Sequence, residues 1–340
     1  MGLGGNLIWT RVLATISDRE KKPITVCYKP LLSDIFQGKM YNSEVSWCHD
    51  EIFRNNPRLE YTKIKKKNFI FKGIDYCFLI FLSIKPVKRI YELLIFNAAE
   101  FFSKNGYKHY IHLDMLIHSY AKKETRKKFE WKDGGNVATV ILKRFSNDIA
   151  YDKPELYFSD RELSRVNQLI KTFQLKKDFI TIESGTKSDW FGDLRAWDFE
   201  KWQNLVNSLS SSLGNNCPLI LQIGLKETDL LDGVIDFRGL TNFREASILI
   251  SKSKLFIGTE GGLMHAARSV QTKSVIIWGG VTLPEFAGYP NHHSIICNYV
   301  PCSPCGLKGE CPNEKICLNT LEVSDVKKLS IASLKNDTNY

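Results

Sequence analysis

The strongest constraint on this fold is the stretch Phe256-Ile257-Gly258-Thr259-Glu260-Gly261-Gly262-Leu263-Met264-His265-Ala266-Ala267, followed by the apolar run Ser274-Val275-Ile276-Ile277-Trp278-Gly279-Gly280. A short apolar segment, an acid, two glycines and a helix-like run describe a strand that ends in a tight turn at a helix N-terminus. The first-turn N–H groups of such a helix lack partners within it, and its dipole is positive there. An anion such as a diphosphate is therefore held without side-chain charge. Gly261 and Gly262 let a ligand approach the backbone closely. Glu260 repels phosphate; its natural task in such a loop is to accept hydrogen bonds from sugar hydroxyls, which together points to a nucleotide sugar. An ordinary strand–turn–helix corner has the same outline, so the surrounding pattern has to decide.

That pattern is regular in the second half. Asp160 to Phe173 reads as a helix capped by Ser159. Phe179 to Ile182 reads as a strand running into Glu183-Ser184-Gly185-Thr186. A helix after Asp198 carries Trp202, Leu205, Val206, Leu209 and Leu213 on one face. Leu219 to Ile223, Leu255 to Ile257 and Ser274 to Trp278 are further strands, with a helix at Asn242 to Ser251. Such alternation predicts an α/β fold with a parallel sheet covered on both faces. Ligands in such sheets bind at the carboxyl ends of the strands. Those ends are Glu183–Thr186, Gly224–Glu227, Thr259–Gly262 and Gly279–Thr282, all rich in Gly, Ser, Thr or acid.

The first half is less legible. Asn6 to Ile16 reads as a helix, Ile24 to Tyr28, Cys77 to Ser83 and Tyr110 to Leu113 as strands, and Val87 to Phe102 as a helix. The run Ile74 to Ile84 is too short to span a membrane and reads as buried. A chain of 340 residues predicts two domains, here 1–158 and 159–330, with 331–340 as a flexible C-terminus. The N-terminus carries neither a basic leader nor an apolar secretory core, so a cytoplasmic protein is expected.

Charge separates the halves. Residues 1–176 hold 31 Lys and Arg against 19 Asp and Glu, whereas residues 177–340 hold 16 against 18. Much of the excess lies at Lys63, Lys65, Lys66, Lys67 and at Lys122, Lys123, Arg126, Lys127, Lys128. Such clusters suit an acidic glycan, anionic lipid headgroups or nucleic acid, or are solvated helix faces. The first half contains no recognition-helix pattern and its clusters lie far from the cysteines, so nucleic acid is not expected.

The order Gly239-Leu240-Thr241, helix, the Phe256–Ala267 motif, then Trp278-Gly279-Gly280-Val281-Thr282 and Pro284 resembles glycosyltransferase family 9, that of the ADP-heptose:lipopolysaccharide heptosyltransferases. Residues 150 to 330 carry the resemblance, including Pro154-Glu155-Leu156; the first half matches only at Gly4-Gly5-Asn6-Leu7-Ile8-Trp9-Thr10. The resemblance implies a GT-B fold, two Rossmann-like domains facing across a cleft, with acceptor bound by the first and nucleotide sugar by the second. It implies inversion at the transferred sugar and no metal for the chemistry. The donor would be ADP-heptose or another nucleotide sugar. The acceptor would be an acidic or phosphorylated bacterial surface glycan such as lipopolysaccharide core, capsule or glycoprotein, met at the cytoplasmic face of the inner membrane.

Residue by residue, the resemblance puts Glu260 on the donor sugar or ribose, Gly261 and Gly262 on the diphosphate, and His265 at the family's histidine. Ser184, Gly185 and Thr186 occupy its polar phosphate loop. Arg195, two residues before Trp197, would neutralise charge on the departing diphosphate, with Lys187 the competitor for that role. Lys226 and Glu227 would lie near base or ribose. Two departures stand out. The family begins with a strand before the glycine turn, for which Met1-Gly2-Leu3-Gly4-Gly5 leaves no room. Where the family has an Asp general base, this chain has Asn6, and an amide cannot take a proton. Asp114 and His112, at the end of the Tyr110 strand, are the candidate replacements. A catalytically weakened GT-B protein that binds nucleotide sugar or scaffolds an assembly is the alternative.

Cys302-x2-Cys305-x5-Cys311-x5-Cys317 is a separate signal. Four thiols gathered by loops suit a structural zinc or iron ion. Free thiols and disulfides are the other readings, and none of the three is catalytic. Relatives carry a similar tail, and the autotransporter heptosyltransferases of the family use a four-cysteine iron site.

Overall fold

In a computed structural model the structure describes residues 3–27, 32–36, 47–60, 69–84, 86–88, 90–91, 94, 110–112, 136–143, 147–186, 192–307 and 309–335. The chain divides into two compact units. Unit 1 is formed by residues 1–130 and 139–151, unit 2 by residues 131–138 and 152–340.

Unit 1 begins with α1 (Leu3–Glu20), buried on nearly every side from Asn6 to Ser17. Gly4, Gly5 and Asn6 lie inside this helix and not in a turn, and Asn6 is fully buried. Trp9, Val12 and Leu13 make it the centre of the local core, packed on α3. The remaining elements are β1 (Ile24–Cys27), α2 (Leu32–Phe36), α3 (Trp47–Phe53), β2 (Leu59–Glu60), α4 (Phe69–Phe81) and β3 (Tyr110–His112). The strands form a parallel sheet in the order β2-β1-β3, with Ile24 opposite Leu59 and Thr25 opposite Tyr110. β1 is thus the central strand, paired on both edges.

The expected strand at Cys77 to Ser83 is corrected: Cys77 to Phe81 close α4, and Leu82 and Ser83 form the turn after it. An unbroken apolar run carries no period, so it fits a strand and a helix alike. Nor is this run buried: Ile80 and Phe81 are exposed. Of the expected helix at Val87 to Phe102, residues 87, 88, 90, 91 and 94 are helical and the rest lie outside the described residues, as do Lys63 to Lys67 and Lys122 to Lys128. α5 (Val137–Leu142) falls in a region without a sequence assignment.

Unit 2 runs α6 (Asp160–Thr172), β4 (Phe179–Ile182), a 3₁₀ turn at Gly192–Arg195, α7 (Phe199–Leu213), β5 (Leu219–Gln222), β6 (Ile235–Asp236), α8 (Phe243–Ser251), β7 (Phe256–Thr259), α9 (Gly262–Ser269), β8 (Ser274–Trp278), α10 (Pro284–Ala287), β9 (Ser294–Cys297), α11 (Ile316–Asn319) and α12 (Val323–Lys335). The last helix extends regular structure through Lys335. Six parallel strands lie in the order β6-β5-β4-β7-β8-β9. Counted from β4 this is the doubly wound order 3-2-1-4-5-6, whose direction reverses between β4 and β7.

Alternation along the strands builds two cores. Phe256, Ile276 and Trp278 pack with Val166, Leu169, Ile248 and Met264 from α6, α8 and α9 on one face. Ile257, Val275 and Ile277 pack with Trp202, Leu205, Val206 and Val326 from α7 and α12 on the other. Each such aliphatic side chain contributes about 1.5–3 kcal/mol when fully buried. Among the described residues no helix is long and apolar enough to cross a membrane.

Polar groups lock the helices in place. Ser159 and Glu162 form a capping box on α6, Asn242 and Glu245 another on α8, and Asp198 caps α7. Arg244 of α8, only 1% exposed, pairs with Glu162, donates to the Tyr157 carbonyl, and lies 5.3 Å over the Phe158 ring. Burial alone would raise the Glu162 pKa, but hydrogen bonds from Arg244 and Ser159 override it and bring the group down to about 2. Arg244→Ala leaves this carboxylate desolvated without its counter-charge, so a loss of about 3–5 kcal/mol is expected. Urea unfolding of the variant at neutral pH measures it, and a loss below about 1 kcal/mol contradicts the account.

Candidate functional site

The direction of winding reverses between β4 and β7. One strand there is followed by an element on one face and its neighbour by an element on the other, so the loops part and leave a crevice above the sheet. The residues at that point are Glu183-Ser184-Gly185-Thr186 after β4 and Glu260-Gly261-Gly262 after β7. The backbone N–H of Glu183 donates to the Ile257 carbonyl at 2.9 Å, so the two acids stand at adjacent strand ends.

Glu260 is 7% exposed. Its Oε2 accepts from the Thr282 hydroxyl at 2.8 Å, while Oε1 is buried with no hydrogen-bond partner among the described residues. Burial pushes its pKa up to about 7, against the opposing pull of Arg195 and Thr282. Burial likewise raises Glu183 to about 8, against the pull of Arg195 alone. Arg195, at the end of the 3₁₀ turn, donates from Nη1 to the Glu260 carbonyl at 3.4 Å. One guanidinium therefore serves two carboxyls that desolvation drives toward the neutral form.

The helix that follows Glu260 begins without a side-chain cap. Gly261 is the N-cap of α9 and makes no side-chain cap, and a Cβ built on it would meet nothing closer than the Thr259 carbonyl at 4.0 Å. The first-turn N–H groups of α9 lack partners within the helix. The β4 loop is tighter. A Cβ on Gly185 would come within 2.0 Å of the Thr228 side chain. The Ser184 hydroxyl accepts from Gln222 Nε2 at 2.9 Å, and that fully buried amide also bonds the Asp229 carbonyl and the Leu231 N–H. Thr186 follows in the same loop; Lys187 lies outside the described residues.

Other expected residues are engaged elsewhere. Lys226 donates to Asp236 at 2.9 Å and is 65% exposed, with Glu227 exposed beside it. His265 is buried, its Nδ1 2.7 Å from the Tyr289 hydroxyl, with the two rings edge to face. His112 ends β3 in unit 1, opposite Cys27, and Asp114 lies outside the described residues. Glu183 and Thr282 complete the cluster without having been singled out individually. Their position at strand ends was the available signal.

The cysteine-rich segment holds up the end of β8. Cys317 Sγ accepts from the Gly280 N–H at 3.2 Å, Cys305 N–H donates to the Gly280 carbonyl at 2.9 Å, and Gly306 N–H to the Val281 carbonyl at 3.0 Å. A Cβ on Gly280 would fall 2.3 Å from the Ser303 hydroxyl, so only glycine fits between these layers. Cys302, Cys305, Cys311 and Cys317 are free thiols. Among the described residues no group of three His, Cys, Asp or Glu side chains is arranged as metal ligands, while burial and the neighbouring thiols of Cys305, Cys302 and Cys311 together raise the Cys317 pKa.

Comparison with known proteins agrees with this geometry. The profile of glycosyltransferase family 9 (heptosyltransferase) matches residues 138–317, just over half of the chain. A search of curated proteins by sequence finds no match. A family 9 glycosyltransferase structure from Veillonella parvula DSM 2008 superposes with a TM-score of 0.60 at 13% identity, over 98% of this chain and 95% of that one. E. coli ADP-heptose lps heptosyltransferase II aligns at 17% identity and a TM-score of 0.43, over 57% of this chain and 56% of that one, so this chain spans about half its length. The iron-containing dodecameric heptosyltransferase TibC of enterotoxigenic E. coli H10407, solved with ADP-D-beta-D-heptose, aligns at 17% identity and a TM-score of 0.39, over 48% of this chain and 46% of that one. The fold is GT-B, and with its doubly wound second unit and the extent of the profile match, the chain belongs to glycosyltransferase family 9.

Proposed function

We propose that this family member moves a sugar, with inversion, from a nucleotide-diphosphate donor to a hydroxyl of an acidic or phosphorylated bacterial surface glycan. Heptose is the sugar that the family's description favours. The observation carrying the reading is the unpartnered, buried Oε1 of Glu260 beside the uncapped start of α9. A buried acceptor without a donor costs free energy until a ligand supplies one. A ribose or sugar hydroxyl is such a donor. A diphosphate next to it would meet the amides of Gly261 and Gly262 and the loop Ser184-Gly185-Thr186-Lys187. With its pKa near 7, Glu260 is partly neutral at physiological pH, which lowers its repulsion of that anion.

In this reading the acceptor oxygen attacks the anomeric carbon as the bond to the diphosphate breaks. Negative charge grows on the leaving oxygen. Arg195 and the α9 dipole stabilise it, so no metal is required for the step. The acceptor proton passes to a base of unit 1, for which Asp114 and His112 are the candidates. Lys226 and Glu227 would border the base or ribose, and His265, held by Tyr289, would support the α9 turn from below. The surplus of Lys and Arg in residues 1–176 suits an acidic acceptor carried at the inner face of a membrane.

Calorimetric titration with ADP-, GDP- and UDP-sugars tests the donor site. Glu260→Ala is expected to weaken the preferred donor about 10- to 100-fold, the equivalent of one buried hydrogen bond; unchanged affinity removes the basis of the site. Release of nucleoside diphosphate in the presence of a lipid-linked acceptor, undiminished by a chelator, is the expected catalytic readout.

The raised pKa of Glu260 gives an independent check. Its folded value near 7 exceeds the unfolded value near 4.5, so its contribution to stability is complete below pH 4.5 and is lost as pH rises through 7. Glu260→Gln escapes that loss. The variant is expected to gain on the wild type between pH 4.5 and 8.5, by no more than about 3 kcal/mol. A stability difference that does not change with pH across urea unfolding curves contradicts the desolvated carboxyl.

A further inference from the structure

Helix α4 has one ordinary side and one unusual side. On the ordinary side Asp75 is buried and accepts from the backbone N–H of Ser33 at 2.9 Å and from its hydroxyl at 2.7 Å, tying α4 to α2. Ile74 and Phe78 are partly buried and Leu82, just past the helix end, is buried. The opposite side presents Phe69 at 90% exposure, Ile70 at 69%, Tyr76 at 68%, Ile80 at 57% and Phe81 at 55%. Helical spacing lines up Phe69, Gly73, Tyr76 and Ile80, with Ile70, Cys77 and Phe81 alongside. A groove of about 700 Å³ between α2 and α4 continues this surface, lined by Leu32, Ile74 and Phe78 among others. Contiguous apolar surface of this kind is costly in water and marks an interaction site.

Charge identifies the occupant. Asp75 is the one acid of α4, and it is turned inward. Lys72 stands exposed at the edge of the apolar face. In the sequence Lys63, Lys65, Lys66 and Lys67 come directly before the helix and Lys85, Lys88 and Arg89 directly after it. A second copy of this chain docked on the same face would set Lys72 against its equal. An anionic surface with an apolar interior satisfies both Lys72 and the aromatic and aliphatic side chains beside it. Thirteen residues make a helix of roughly 20 Å, too short for a hydrocarbon core of roughly 30 Å. The fitting geometry is a helix in the plane of the interface.

We propose that α4 docks the protein on an anionic phospholipid bilayer. Its Phe69, Ile70, Tyr76, Ile80 and Phe81 face enters the boundary between headgroups and acyl chains, Lys72 stays at the level of the lipid phosphates, and the groove beside Leu32 receives acyl-chain carbon. The inference deepens the reading that the acceptor is carried at a membrane, yet the binding itself requires neither donor nor acceptor.

The test is sedimentation of the full-length protein with vesicles of phosphatidylglycerol and phosphatidylethanolamine, against vesicles of phosphatidylcholine alone. The wild type is expected to bind the anionic vesicles, less tightly as salt rises. Ile80→Glu combined with Phe81→Glu is expected to lose at least about tenfold in vesicle affinity. Both side chains are exposed, so the variant should melt at the wild-type temperature; Lys72→Glu provides a second, milder loss if it does not. Wild type left in the supernatant, variants that bind as well as wild type, or a dimer in solution that the double variant converts to monomer without any vesicle binding would each overturn the proposal. Donor titration of the same double variant separates the two readings. Retained donor affinity with lost vesicle binding supports both, whereas a wild type that binds vesicles but no nucleotide sugar overturns only the transferase reading.

Discussion

Two carboxyls at neighbouring strand ends, both in the field of one guanidinium, are the interaction that sets the electrostatics where the second unit's winding reverses. Glu183 and Glu260 stand where β4 and β7 diverge, and both are desolvated far enough to hold protons near neutral pH. Burial makes two ionised carboxylates in that position costly, and the Arg195 charge opposes that cost at both. Arg195 is thereby held beside the strand end that leads into α9, donating to the Glu260 carbonyl. Thr282 fixes one oxygen of Glu260 and leaves the other available.

The surroundings of this cluster are closely packed around small residues. Gly185 is pressed against Thr228, and Gly280 against Ser303 and Cys317, so both loops sit where a side chain would displace a layer. The cysteine-rich segment contributes by backbone bonding: its amides and one thiol satisfy the end of β8, from which Thr282 reaches Glu260. Lys201 of α7 continues the brace, donating to the carbonyls of Asn319 and Leu321 next to α11. The face of the sheet that carries α7 is thereby tied to the segment that braces this loop.

The second unit was legible because its strands are buried on both faces and its helices on one. Phe179–Ile182, Ser274–Trp278 and the stripe from Trp202 to Leu209 each report their surroundings directly, and Ser159, Asp198 and Asn242 mark the helix starts. The first unit resisted because its signals are degenerate. Gly4-Gly5 has the composition of a turn and sits inside α1, where burial of Trp9, Val12 and Leu13 outweighs the helix penalty of glycine. The apolar run up to Ile84 has no period, and what decides it is the pairing of Asp75 with Ser33, a contact 42 residues apart. Among site residues, Glu260 and its glycines announced themselves in sequence, whereas Lys226 and His265 had partners, Asp236 and Tyr289, that only folding brings within reach.

What the chain's sequence determined alone is the set of local commitments: which segments alternate, where helices begin, and that an acid followed by two glycines ends a strand. These depend on neighbours within a few residues, so they can be read linearly. The tertiary structure decided which strand ends become adjacent, and hence that Glu183 joins Glu260 around Arg195, that the cysteines brace a loop, and that the apolar side of α4 stays in contact with solvent. Desolvation and charge pairing are properties of a three-dimensional neighbourhood; no residue carries them until the sheet order has chosen its companions.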